Sequence, residues 1–425
     1  MKTRLSVTLT SLTLSVLFIG CTSADAGSET TSASALMPSF VVDAPGWRQA
    51  DIDGSLYNYK DGRILTADLN GDGKSDLVRV MDNRIESWFG RSDGSFMQGA
   101  PLVFSSDPQG RVEVDLGDFD GDGHPDLVVG KSGTADDVRG RVWIFWNDGA
   151  GAFNPSTRYE VAGPVAFDGM WGGPSAVSAR DVDQDGRADL SVYAVANYMG
   201  QVFLHGSGAR SVPFDSSNFR SSKVIVRDWV RGDVESPVSR PAQYQNVQDE
   251  VGLDSDGSLH LATGYRDNQK VVYSTIRQDA LGKMKAFALL DFDGDGLDDI
   301  VISPKDASGI RVSSSAGAES IRSSATVMLA DGLRPSFLGR AKVGSTGRPS
   351  LLAVFGSSVY VLRAEDVGAR RWLQVKRTGS QVVPAYDGGR AAVIADFDGD
   401  GNDDLAVVGV KDNRWKGHVH VTFGK

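Results

Sequence analysis

Five stretches of this sequence set carboxylates at one nine-residue spacing: Asp, any, Asp or Asn, any, Asp, Gly, two of any, Asp. The side chains so placed are Asp68, Asn70, Asp72 and Asp76; Asp118, Asp120, Asp122 and Asp126; Asp181, Asp183, Asp185 and Asp189; Asp291, Asp293, Asp295 and Asp299; and Asp396, Asp398, Asp400 and Asp404. Glycine at position six allows the sharp bend that turns alternate oxygens toward one point. A backbone carbonyl from position seven, held by Lys74, His124, Arg187, Leu297 and Asn402, completes the set. Six to eight hard oxygens suit Ca2+, whereas Mg2+ keeps more of its own water and zinc or copper would call for His or Cys. The chemistry expected is therefore calcium binding at about five sites.

The loops begin like EF-hands and then diverge from them. Position twelve, where an EF-hand needs Glu, is Arg79, Val129, Val192, Ile302 or Val407, and a β-prone run follows instead of a helix. Charge supports the same reading, because unligated carboxylates crowded in one loop repel. Lys plus Arg number 44 and Asp plus Glu 55, a net charge of −11; five Ca2+ would bring that to about −1. Such an acidic balance excludes a nucleic-acid backbone binder, which needs a basic face.

The turns need elements to hold them. Each is preceded by an apolar or alternating run (ILTA, VEVDLG, AVSA, AFALL, AVIA) and followed by a second (LVRV, LVVG, LSVYA, IVIS, LAVVG). The unit is strand, acidic turn, strand. Two long gaps hold eroded copies, at Gly252 to His260 and at Lys342 to Ser350, which have lost acidic ligands and are expected to hold no metal. Seven turns result. Fifty glycines against 15 prolines fit many tight turns in an all-β chain. Thr134 to Phe153 supplies a further strand and hairpin, and Gly417 to Phe423 repeats that strand at the end of the chain. The last unit is then short of one strand, and Phe40-Val41-Val42-Asp43 is expected to complete it, closing a ring and covering an open edge.

Repeated strand, DxDxDG turn and strand resemble the FG-GAP or VCBS family, best known from the propellers of integrin α chains. The literal signature is Phe89-Gly90 followed by Gly99-Ala100-Pro101, with a looser echo in Trp146-Asn147 and Gly163-Pro164. The resemblance covers about residues 40–425. It implies a seven-bladed β-propeller with Ca2+ in loops between blade strands, used for binding or adhesion.

Ahead of the repeats, residues 1–20 read as a secretory signal: Lys2 and Arg4, then an interrupted apolar stretch from Leu5 to Ile19, too short to span a bilayer. Leu17 to Cys21 resembles a bacterial lipobox, which implies acylation of Cys21 and attachment to the cell envelope, with plain secretion as the alternative. Residues 21–39 are a polar tether. Cys21 is the one cysteine, so no disulfide holds the exported domain.

Enzyme motifs are scarce: HExxH and a thiol nucleophile are both missing. His418 and His420 share one face of the last strand and read as a surface pair. Trp88, Trp143 and Trp146 read as core. The long non-repeat stretch Gly206 to Glu250 carries Arg210, Arg220, Arg227, Trp229, Arg231 and Arg240 and is the expected place for an acidic glycan or protein ligand. Arg231-Gly232-Asp233 within it is read as accidental. The function expected is a calcium-stabilised envelope module that binds a glycan or protein; the alternative is a carbohydrate-active enzyme, a polysaccharide lyase or hydrolase, on the same scaffold.

Overall fold

A computed structural model describes residues 18–19, 49–52, 64–80, 83–106, 112–132, 140–161, 174–181, 185–194, 200–211, 213–222, 226–232, 249–254, 257–267, 270–275, 284–291, 296–305, 309–315, 321–327, 334–343, 349–355, 358–367, 370–377, 392–411, 416–422 and 424. Their regular structure is β throughout, apart from a 3-10 turn at Pro155–Thr157 capped by the Asn154 side chain. No described helix is long and apolar enough to cross a membrane.

The described strands form seven antiparallel sheets. The first holds Ile64–Ala67, Asp76–Val80, Arg84–Gly90 and Phe96–Gln98, with Leu102–Val103 also on the third strand. The second holds Val112–Gly117, Asp126–Lys131, Arg141–Phe145 and Tyr159–Glu160; the third Pro174–Arg180, Asp189–Ala194, Gly200–Gly206 and Phe214–Ser222. The fourth holds Val226–Gly232, Asp249–Asp254, Leu259–Asp267 and Lys270–Thr275; the fifth Met284–Leu290, Asp299–Pro304, Ile310–Ser315 and Ile321–Val327. The sixth holds Phe337–Ala341, Ser350–Phe355, Ser358–Val367 and Arg370–Arg377; the seventh Ala392–Ala395, Asp404–Lys411, Lys416–Thr422 and Gln49–Ile52. Phe18–Ile19, within the stretch read as a signal, pairs with Val327 and Thr326 at the edge of the fifth sheet.

Second strands are central and covered on both faces, which is why LVRV, LVVG and IVIS read as nearly unbroken apolar runs. The core lies between neighbouring sheets. Val78 and Ile85 of the first pack with Val114, Leu127 and Phe145 of the second; Val128 and Ile144 of the second pack with Val177, Leu190 and Val192 of the third. Similar clusters join the fourth sheet to the fifth, the sixth to the seventh, and the seventh back to the first, where Phe397 and Val421 meet Ile64 and Leu77. Trp143 and Trp146 are buried and Trp88 is partly buried against the same kind of layer, in line with the core reading.

One register recurs. The residue before each acidic turn pairs with the ninth-position aspartate: Ala67 with Asp76, Gly117 with Asp126, Arg180 with Asp189, Leu290 with Asp299 and Ala395 with Asp404. The eroded sixth copy keeps it, Ala341 opposite Ser350. The eroded fourth does not. Its turn joins the second and third strands of its sheet, and Gly252 and His260, aligned above with positions one and nine, are ladder partners.

Two other expectations change. The strand that completes the seventh sheet is Gln49–Ile52, opposite Thr422 to Val419; Phe40 to Asp43 lie outside the described residues. The stretch from Gly206 to Glu250 is not one loop, since it contributes the sheet strands Phe214–Ser222 and Val226–Gly232. Arg220 thus sits on the third sheet, Arg227 and Arg231 on the fourth, and Arg240 lies outside the described residues.

Candidate metal turns

In each turn the first aspartate organises the backbone. Asp68 accepts at Oδ1 from the Asp72 N–H (3.1 Å) and at Oδ2 from the Gly73 N–H (2.8 Å). Asp118 accepts from Gly121, Asp122 and Gly123, Asp181 from Asp185 and Gly186, Asp291 from Gly296, and Asp396 from Gly399, Asp400 and Gly401. Positions three and five make short Asx turns: Asn70 and Asp120 accept from the N–H two residues on, as do Asp72, Asp122, Asp185 and Asp400. Position-six glycines have φ between 81° and 90°, and a Cβ there would meet nothing within 4 Å. Their requirement is conformational, not steric.

The ninth aspartate is buried and fastens the turn to the sheet. Asp76, Asp126 and Asp404 accept at Oδ2 from the N–H of position two (Leu69, Phe119 and Phe397) at 2.8 to 3.1 Å. At Oδ1 they accept from the N–H just at or beyond the third strand, of Gly90, Asn147 and Gly424, and Asp189 accepts likewise from Gly206. This explains the Gly of the Phe-Gly signature. A Cβ on Gly90 would stand 2.3 Å from the Phe397 carbonyl oxygen of the seventh sheet, and Gly206 and Gly424 are equally tight against the position-eight carbonyls of Ala188 and Asp403. Burial, aided by neighbouring carboxylates, pushes Asp76 up to about 6 and both Asp126 and Asp404 up to about 7. Burial also raises Asp181.

Three carboxylates converge in two turns. Oxygens of Asp118, Asp120 and Asp126 lie within 4.8 Å of one another, as do those of Asp396, Asp398 and Asp404. In the first turn Asn70 supplies an amide oxygen in place of one carboxylate. Asp183, Asp293 and Asp295 lie outside the described residues, while Asp181, Asp185, Asp189, Asp291, Leu297 and Asp299 occupy the expected turn positions. The donors are hard oxygens, and the ninth carboxylate is costly to ionise where it sits, so a divalent cation fits what is there.

The turns also touch one another. The position-eight N–H of one donates to the first-position carbonyl of the preceding unit: Ser75 to Asp396 (2.8 Å), Ala188 to Asp118 (2.6 Å) and Asp403 to Lys342 (2.7 Å). The second turn has Pro125 at that position and no N–H to give. There the buried Asn147 side chain bridges instead, donating from Nδ2 to the Leu69 carbonyl at 2.8 Å and the Pro125 carbonyl at 3.1 Å. Basic side chains lace the rim: Lys74 Nζ lies 3.0 Å from Asp72, Arg187 pairs with Asp185, and Arg210 pairs with both Asp120 and Asp122. Lys74, His124, Arg187 and Asn402 thus hold the position-seven places in four described turns. Sequence reasoning missed the fastening role of the ninth aspartate, whose signal was the small residue ending each third strand. It also missed the Arg210 pairing, which joins residues 90 apart.

Residues 68–129 and 133–192 match the family described as FG-GAP-like repeat. The matched residues are similar to FG-GAP-like repeats. They take in the first three acidic turns. Over 196 residues the chain is 26% identical to integrin alpha-5 of Xenopus laevis, a match covering 37% of this chain and 18% of that protein. Among solved structures the Dos1 propeller is similar, at 11% identity and a TM-score of 0.43, covering 82% of this chain and 74% of that one.

Proposed function

We propose that this chain is a calcium-stabilised, seven-bladed propeller acting as a binding or adhesion module of the cell envelope, with a glycan or protein as its ligand. The observation that carries the reading is the convergence of Asp118, Asp120 and Asp126, and of Asp396, Asp398 and Asp404, each around a buried ninth carboxylate. Bound Ca2+ would supply positive charge that lets these groups stay ionised at neutral pH.

The chain's own residues do the rest. Asp68, Asp118, Asp181, Asp291 and Asp396 gather the turn amides; Asp76, Asp126, Asp189 and Asp404 lock turn to third strand; Ser75, Ala188 and Asp403 tie each turn to its neighbour. A cation held at one turn is thereby felt at the interface between two sheets. The ring closes through Gln49–Ile52 on Lys416–Thr422 and through the packing of the seventh sheet on the first. Export by residues 1–20 and acylation of Cys21 would place the module on the envelope at the end of the 21–39 tether. In a compartment rich in calcium, ion binding can supply the rigidity that disulfides supply elsewhere.

The test is retention on a combined glycan and protein array with 1 mM Ca2+ (about the affinity range of extracellular sites) and again with chelator. Calcium-dependent retention without release of cleaved product supports the module; product release would overturn it in favour of an enzyme. Calorimetry on the same protein should count about five sites.

A further inference from the structure

We propose that Arg210 is a tethered counter-ion that occupies the second acidic turn until a divalent cation displaces it, making residues 206–211 a calcium-operated latch between the third and second sheets. The inference rests on the calcium reading above. Arg210 belongs to the connection between the third and fourth strands of the third sheet, yet its guanidinium reaches the second sheet's turn. There it pairs with Asp120 Oδ2 and lies 3.0 Å from Asp122 Oδ2, donates to the Asn147 carbonyl at 3.4 Å, and rests 5.6 Å from the centre of the Trp146 ring.

Positions three and five are two of the residues that would hold a metal. Their Oδ1 atoms already accept backbone N–H groups, Asp120 from Asp122 and Asp122 from His124, so the guanidinium has taken the remaining Oδ2 atoms. The carboxylates of Asp120 and Asp122 differ in exposure, 6% and 35%, while Arg210 is 49% exposed. The guanidinium thus bridges one covered and one partly exposed carboxylate. A guanidinium and a divalent ion bridging the same two carboxylates would stand a few ångströms apart and repel strongly in this partly covered site. One charge of the turn is offset by the arginine, two by the metal, so exchange is favoured when calcium is plentiful. The connection turns back on itself: Ser207 N–H bonds the Pro213 carbonyl, Ala209 N–H bonds the Ser207 hydroxyl at 3.3 Å, and Gly208 at φ 76° forms the bend that precedes Arg210.

Hydrogen exchange read by peptide mass resolves this turn from the others. In the wild-type protein, calcium should slow exchange in the 118–126 peptide and speed it in the 206–211 peptide. In Arg210→Gln the 118–126 protection should appear at a calcium concentration lower by about fivefold or more, and in Arg210→Lys by less. The latch is overturned if the Arg210→Gln midpoint is unchanged or higher, or if 206–211 becomes more protected with calcium, which would make Arg210 a brace for the loaded turn. The wild-type measurement stands even if a variant folds poorly. The 396–404 peptide separates the two readings: protection there without the Arg210 effect removes the latch alone, and absence of protection in every acidic turn removes both.

Discussion

The buried carboxylate of Asp126 accepts the Asn147 N–H at 2.8 Å, and the same asparagine's side chain crosses to the Leu69 carbonyl of the first sheet. Asn147 is fully buried and its Oδ1 also accepts from Gly149 and Gly151. One side chain therefore does what Pro125 cannot, joining the second turn to the first. Asn147→Ala leaves two carbonyls and two amides without it and should cost about 2–4 kcal/mol. Asn147→Asp should cost more, because the carbonyls of Leu69 and Pro125 would then face a charge. Urea midpoints of the calcium-loaded proteins check both, and a loss under about 0.5 kcal/mol for Ala would refute the bridge.

Two glycines of the first sheet should behave differently when given a methyl group. At Gly90 the Cβ would lie 2.3 Å from the Phe397 carbonyl and 2.7 Å from that of Ser75, both backbone atoms. Gly90→Ala should therefore force the first and seventh sheets apart, at about 3 kcal/mol or more, and lower the melting temperature with or without calcium. At Gly73, with φ 81° and nothing within 4 Å, alanine should cost about 1–2 kcal/mol through backbone strain alone. Equal effects in thermal melts would contradict the steric account of Gly90.

What was readable in the sequence is what local chemistry dictates. Alternating oxygens around a position-six glycine specify the turn whatever surrounds it, and Ala341 opposite Ser350 shows the register outlasting the acids in the sixth copy. The fourth copy was misplaced because Gly252 and His260 carry nothing that prevents them from pairing. Phe214–Ser222 hid as a loop since FDSSNFRSS is short of β-branched residues, and it is a strand only because Gly200–Gly206 lies beside it. Arg210 reached Asp120 across a sheet boundary, which no spacing rule encodes.

Acid and calcium should each stabilise the metal-free protein, and should compete in doing so. Asp126 and Asp404 ordinarily ionise near 3.8 and are pushed up to about 7 in the fold. A raised carboxylate stabilises the folded state fully below its unfolded value, and that stabilisation is lost as pH rises through the folded value. The chelated protein should thus melt lower at pH 8 than at pH 5.5, and the gain on adding Ca2+ should be larger at pH 8. Binding near pH 6.5 should release protons, visible as a buffer-dependent calorimetric enthalpy. A melting temperature indifferent to pH across this window in chelator, with no proton release, would contradict the assignment.

The edge of the seventh sheet gives the last expectation. Gln49–Ile52 covers Lys416–Thr422 through the pairs Gln49 with Thr422, Ala50 with Val421, Asp51 with His420 and Ile52 with Val419. Val419 and Val421 are buried, and belong to the layer shared with Ile64 and Leu77 of the first sheet. A chain begun at residue 45 keeps that strand, whereas one begun at 53 exposes an apolar, unpaired edge beside the junction of the seventh and first sheets. The shorter chain should melt lower and self-associate by exposed edge pairing, with the deficit restored by adding a peptide spanning 45–56. Sedimentation and thermal melts decide it. Equal stability and a monomeric state for both chains would show that Gln49–Ile52 has no role in closing the structure.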